Sequence, residues 1–181
     1  MCQECLSKPV YEFSNKRVVC KVCFLRWFQK KFLYSVRKFG MIKKGDVVGY
    51  KKGMGFREAV LESLLEMFVG RAPVELVKIP NKKARKIALS DTTDTIAREI
   101  VEEVVKGDVR KLKLSPVDSK FIRPLFLFTD KEVELYAKLK KLGFSKIEER
   151  KTKLGAFVEE LEKKHLEVKH AVVKSYMGMF N

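Results

Sequence analysis

All four cysteines of this chain lie in its first 23 residues, as Cys2-Gln-Glu-Cys5 and Cys20-Lys-Val-Cys23. Each C-x-x-C spacing turns two thiols towards one point, and the fourteen residues between the pairs leave room for a short hairpin. Four soft sulfur ligands suit a tetrahedral, closed zinc site. An ion held in that way stabilises a segment too small to build its own core. A catalytic zinc keeps one position open, and no spare ligand lies nearby, so a structural zinc is expected. An iron–sulfur centre and a redox-active dithiol are the other uses of the same pattern. Disulfides fit it less well than metal ligation does.

The remaining chain is long enough for one α/β domain beside this small appendage: 181 residues in all, 46% of the whole apolar. That apolar content argues against disorder. Formal net charge is +16, with the basic residues spread along the sequence rather than gathered in a tail. Such an excess favours a polyanionic partner, nucleic acid before an acidic membrane surface, with a merely solubilising surface as the plain alternative. No apolar run reaches the roughly 18 residues of a membrane span. There is also no secretory signal, so a cytoplasmic protein is expected.

Phe24 to Phe39 reads as a helix. At about 100° per residue, Phe24, Leu25, Phe28, Phe32, Val36 and Phe39 fall in one broad stripe. Arg26, Lys30 and Arg37 share another face, with Lys31 and Lys38 between the two. The stripe is expected to pack on the main domain, and the basic face either meets phosphates or is simply solvated. Asp46 to Tyr50 is a buried strand, Lys51 to Phe56 a loop, and Arg57 to Phe68 a helix. Strand, glycine loop and helix start are the parts of a phosphate cradle. Gly53 and Gly55 alone make this signal weak, and an ordinary βα turn explains them equally.

Further strands are expected at Val74 to Ile79, Lys86 to Leu89 and Ile122 to Phe128. Pro124 places the last at an edge or delays its start. Ser90-Asp-Thr-Thr-Asp94 supplies capping chemistry for a helix from about Thr95 to Lys106, closed by Gly107, with Ile96, Ile100, Val101, Val104 and Val105 inward. Asp91 and Asp94 have a metal-binding alternative, but capping is the simpler use. Thr129-x-x-Glu132 is a capping box for a helix through Leu142, and helical patterns follow around Leu154 to Lys164 and Val168 to Tyr176. Strands alternating with helices predict an α/β fold with an open, mainly parallel sheet flanked by helices. Two parts are expected: residues 1–40, a small zinc ribbon plus the basic aromatic linking helix, and residues 41–181, the α/β domain.

The order C-x-x-C…C-x-x-C-F, a basic aromatic helix, and Lys43-Lys44-Gly45-Asp46-x-Val48 resembles the cytosolic tRNA 2-thiolation family. Ala97 with Lys106-Gly107-Asp108, Ile122-Arg-Pro-Leu125 with Asp130-Lys-Glu-Val-x-Leu-Tyr136, and Leu161-Glu-Lys-Lys-His165 with Lys169-His-Ala-Val-Val-Lys-Ser175 extend the likeness in order. The resemblance implies a shortened adenine-nucleotide α-hydrolase-like (PP-loop) fold. It also implies tRNA as partner and 2-thiouridine, in many members at the wobble position, as product.

The departures are chemical. Active members carry a Ser-Gly-Gly-x-Asp-Ser loop for ATP phosphates, and the matching place here is Lys52-Gly53-Met54-Gly55-Phe56-Arg57. Its serines and aspartate are gone. An Asp-Asp-Glu-Ala signature has become Asp94-Thr-Ile-Ala97, which keeps only the first acid. Active members also use cysteines of the α/β domain to carry sulfur or hold an iron–sulfur cluster, and no cysteine follows Cys23 here. The link between the second and third strands is also shorter than in active members. These losses argue against ATP binding and imply the family's second kind of subunit, a pseudoenzyme that docks on a catalytic paralogue and helps bind tRNA. The competing readings are a free-standing zinc-ribbon adaptor for RNA or protein, and an active ATP-dependent tRNA sulfurtransferase with an altered loop.

Overall fold

The computed structural model describes residues 1–107, 112, 114–145, 156, 160 and 167–179. The two cysteine pairs are joined by an antiparallel hairpin of β1 (Pro9–Glu12) and β2 (Val18–Cys20), in register at Tyr11↔Val19 and Glu12↔Val18. Its turn closes through Phe13 N–H to the Arg17 carbonyl at 2.8 Å, with Lys16 in the left-handed region at φ 65°. Cys20 then caps α1 (Lys21–Lys38), so the hairpin feeds directly into the helix. Phe24, Phe28 and Phe32 are fully buried and Val36 nearly so, the stripe its periodicity foretells. Phe28 stacks on Tyr136 with centroids 4.3 Å apart and lies 4.2 Å from Phe128. These contacts fasten α1 to the α/β part through one continuous core.

That part is an α/β sheet of β3 (Val47–Tyr50), β4 (Glu75–Lys78), β5 (Lys86–Ala88), β6 (Val117–Asp118) and β7 (Phe121–Ile122). Spatial order is β4-β3-β5-β7-β6, parallel from β4 to β7, with β6 antiparallel at the edge. The flanking helices are α2 (Phe56–Val69), α3 (Thr93–Lys106), α4 (Asp130–Lys140) and α5 (Val168–Met179). Gly49, on the internal strand β3, has no room for a side chain: a Cβ there would stand 2.6 Å from Ile79 Cγ2 and 2.9 Å from Ala84 Cβ. The short link after β4 therefore lies directly on the sheet. Among the described residues no helix is long and apolar enough to cross a membrane.

Three expectations change in detail. The strand over Ile122 to Phe128 stops at Ile122, because residues 124–128 turn (Phe126 N–H to the Arg123 carbonyl, Phe128 N–H to the Leu125 carbonyl), and β7 is internal because β6 covers it. Val104 and Val105 are 52% and 64% exposed, in the last turn of α3 before Gly107 ends it at φ 77°. The cap of α3 is Thr92, with Thr95 completing a reciprocal box, so neither Asp91 nor Asp94 is its N-cap. The capping box of Thr129 and Glu132 forms as its spacing predicts. The helical pattern around Leu154 to Lys164 falls outside the described residues apart from positions 156 and 160.

Candidate functional site

The cysteine pairs arrive at one point by two different routes. The first forms a tight knuckle: Leu6 N–H donates to the Cys2 carbonyl at 2.9 Å, Cys2 N–H to the Ser7 carbonyl at 2.8 Å, and Leu6 takes φ 61°. The second sits on the N-terminus of α1, where Cys20 is the cap and Cys23 lies in the first turn. Unpaired N–H groups there favour negative charge, which suits thiolates. All four Sγ atoms lie within 4.8 Å of one another, and the set can hold a metal ion. Cys5 Sγ is 3.7 Å from Cys2 Sγ, 3.4 Å from Cys20 Sγ and 3.6 Å from Cys23 Sγ. Sulfurs bound at about 2.3 Å around one tetrahedral ion stand about 3.8 Å apart. The site fits a single ion. A cubane cluster, whose thiolates each bind a different iron, spreads its ligands more widely.

The second candidate region follows from topology. The chain leaves β3 for β4 on one side and reaches β5 on the other, so the sheet order reverses between β3 and β5. Open α/β sheets bind ligands in the crevice beyond the strand ends at such a point. Lys52, Gly53, Met54, Gly55, Phe56 and Arg57 lie there, and Asp94 opens α3 nearby. Phosphate binding needs exposed N–H groups and no competing anion. Instead Glu58 folds back over the loop, its Cγ only 2.6 Å from where a Gly53 Cβ would be, and accepts from Ser90 Oγ at 3.0 Å. Arg57 turns away and forks onto Asp130, at 2.7 Å through Nε and 2.5 Å through Nη2. Thr92 Oγ1 donates to Asp130 as well, at 2.7 Å. The Met54 carbonyl accepts from Ser145 N–H at 2.7 Å, and Phe56 meets Phe144 edge-on.

Asp94 belongs to the same network. Its Oδ2 accepts from the Asp130 backbone N–H at 2.8 Å, satisfying the start of α4, and its Oδ1 takes the ammonium of Lys169 on α5. Burial, with the neighbouring Asp130 charge, pushes the Asp94 carboxyl up, while Lys169 and the N–H hold it down. Asp91 pairs with Arg123 at 2.9 Å. Asp94 is thus spent on joining α3, α4 and α5.

Of the five basic residues singled out on α1, Arg26, Lys30, Arg37 and Lys38 are exposed along its outer side. Lys31 differs. It is half-buried, 3.3 Å from Glu132, and lies over the Trp27 and Phe128 rings at 4.7 and 4.6 Å. Burial pushes its pKa down, with Glu132 opposing. Sequence reasoning missed Tyr34, 47% exposed between Lys30 and Lys38 at i±4 spacing. That spacing was readable. It gave no role to Glu58, nor to Asp130 and Lys169 beyond their place in the family likeness, because their partners lie 32 to 75 residues away and leave no local pattern.

No protein-family description and no curated protein sequence matches the chain. Among solved structures, the fold is similar to that of a U34-tRNA thiolase, NcsA from Methanococcus maripaludis, determined with its [4Fe-4S] cluster. The TM-score is 0.82 at 17% identity, over 98% of this chain and 86% of that one. At that identity the likeness is one of fold alone.

Proposed function

We propose that this protein acts in tRNA thiolation as a non-catalytic, RNA-holding component beside a catalytic paralogue. The observation that carries the reading is the switch-point crevice, where a nucleotide-using α/β enzyme exposes phosphate donors. Here Glu58 lies over the glycine loop and Arg57 is paired with Asp130. A carboxylate over the cradle repels phosphate, and a guanidinium already forked onto an acid is a poor phosphate ligand. Sulfur transfer from a protein also needs a thiolate or a cluster, and every thiol of this chain belongs to the N-terminal site.

The chain's contribution in this reading is positional. Zinc on Cys2, Cys5, Cys20 and Cys23 anchors the start of α1, and the close sulfur spacing favours one ion over a cluster. Arg26, Lys30, Arg37 and Lys38 meet tRNA phosphates, while Lys31 ties the helix to α4. The α/β part, residues 41–181, provides the surface for the catalytic partner. The likeness of fold to a tRNA thiolase supports the pathway, and the net charge of +16 supports the RNA.

The deciding experiment is mass spectrometry of tRNA nucleosides from cells with and without the gene. Loss of 2-thiouridine is expected, restored by the unaltered gene but not by one with alanine at the four exposed basic positions. Unchanged 2-thiouridine in the deletion would refute the assignment. ATP binding with AMP release by the isolated chain would refute its non-catalytic part.

A further inference from the structure

A cleft of about 630 Å³ lies between the cysteine-bearing hairpin, α1, the start of α4 and the start of α5. Its walls include three aromatic rings, Tyr11, Phe13 and Trp27, each partly accessible. Phe13 meets Trp27 edge-on at 4.6 Å, and Tyr11 meets Phe13 in the same way at 4.9 Å. Arg17 lies over one face of Phe13 at 4.4 Å and Lys31 over one face of Trp27 at 4.7 Å, so a flat guest would meet the part of each ring that remains accessible in the cleft. Lys131 and His170 line the same space and are exposed.

The charges in the cleft decide what such a guest is. Glu12, Glu132 and Glu167 all line it. Lys16, at 3.6 Å, and Lys31, at 3.3 Å, are engaged with the first two, and Glu167 accepts from Ser14 Oγ at 2.9 Å. Lys16, Lys31 and Lys131 balance these three carboxylates, so the interior offers no excess positive charge for a phosphate. A near-neutral cleft with carboxylate acceptors in its walls suits a neutral heterocycle whose ring N–H or amino groups need acceptors. Phosphates belong next door. Trp27 follows Arg26 and Lys31 follows Lys30, so each cleft-lining residue of α1 is one step of about 100° from a residue of the exposed basic face.

We infer that this cleft receives one unstacked nucleobase of a single-stranded RNA segment whose phosphates lie along the exposed basic face of α1. The inference rests on the RNA-holding reading and adds the site that makes it more than electrostatic. Single-stranded loops are where proteins read RNA, by splaying bases onto aromatic side chains. Stacking of that kind tolerates different bases because every base has a π-face. A deeper site at the switch-point crevice is not needed.

Trp27 is the only tryptophan of the chain, so its fluorescence reports on the cleft directly. The full, metal-loaded protein is titrated with a short single-stranded RNA of mixed sequence and with an abasic ribose-phosphate oligomer of the same length. RNA is expected to quench Trp27, whereas the abasic oligomer binds about tenfold more weakly, the lower part of what one stacked base contributes, without quenching. Phe13→Ala, checked for full metal content, is expected to weaken RNA by a similar factor and leave the abasic oligomer unchanged. Equal binding of the two oligomers with Trp27 unaffected would overturn the cleft while leaving the basic face standing. Binding of neither would overturn both. The oligomer comparison uses the unaltered protein, so it decides the matter even if Phe13→Ala fails to fold.

Discussion

Lys169 and Asp94 show how a buried ion pair joins distant parts of this chain. Both are more than nine-tenths buried, and they are 75 positions apart in sequence. Removing one member leaves the other charge buried without its counterion, so Lys169→Ala is expected to cost about 3–5 kcal/mol. The double change Asp94→Asn with Lys169→Met should cost clearly less than the two single changes added together, and a denaturant double-mutant cycle measures the difference. Tyr50 offers a test in pH. Burial, with the Glu62 carboxylate that its hydroxyl donates to at 2.9 Å, pushes its pKa up to about 12. Between the unfolded value of about 10 and the folded one, only the unfolded chain has lost the proton, so stability falls as pH rises through that window. Denaturation midpoints at pH 9 and pH 11 should therefore separate more for the unaltered protein than for Tyr50→Phe. At this scale the sequence speaks clearly only where partners are close along the chain. The cysteine pairs and the Thr129–Glu132 box are of that kind; Lys169, whose partner is on another element, is not.

Among the elements α1 carries the most, and its two sides predict different outcomes. Phe28, fully buried between Tyr136 and Phe128, joins the helix to the sheet domain, so Phe28→Ala is expected to destabilise the fold by about 3–5 kcal/mol, read from a urea midpoint. The outer side should behave oppositely. Alanine at Arg26, Lys30, Arg37 and Lys38 leaves stability nearly unchanged, while the slope of log affinity for tRNA against log salt becomes shallower by about three, at roughly 0.7–0.9 for each phosphate no longer neutralised. An unchanged slope would remove these residues from the interface. Both sides of α1 were legible because a helix writes its neighbours into a 3.6-residue period. The last strand was not, since its apolar run reads as strand although the backbone after Ile122 closes local turns instead. Likewise the valines at 104 and 105 keep the inward period although both are exposed in the last turn of α3.

For the molecule as a whole, class and strand alternation could be read from pattern, and the closing of the crevice could not. The sequence shows a loop, residues 52–57, that holds neither serine nor aspartate. Only the fold shows that Glu58, Asp130 and Ser145 have taken up the space and the hydrogen bonds. Calorimetry with ATP and magnesium is accordingly expected to give no binding heat, and a Glu58→Gln change alone should not create any. The cysteine site acts on the same scale. Cys20 and Cys23 belong both to the sulfur cluster that can hold a metal ion and to the start of α1, the helix to which the proposed function assigns RNA. An ion that fixes that turn and an RNA that lies along its continuation stabilise the same arrangement, so each must tighten the other by an equal factor. Cells short of the metal would then lose RNA affinity before they lose the protein, and RNA-bound chains would be the last to surrender their ion to a chelator.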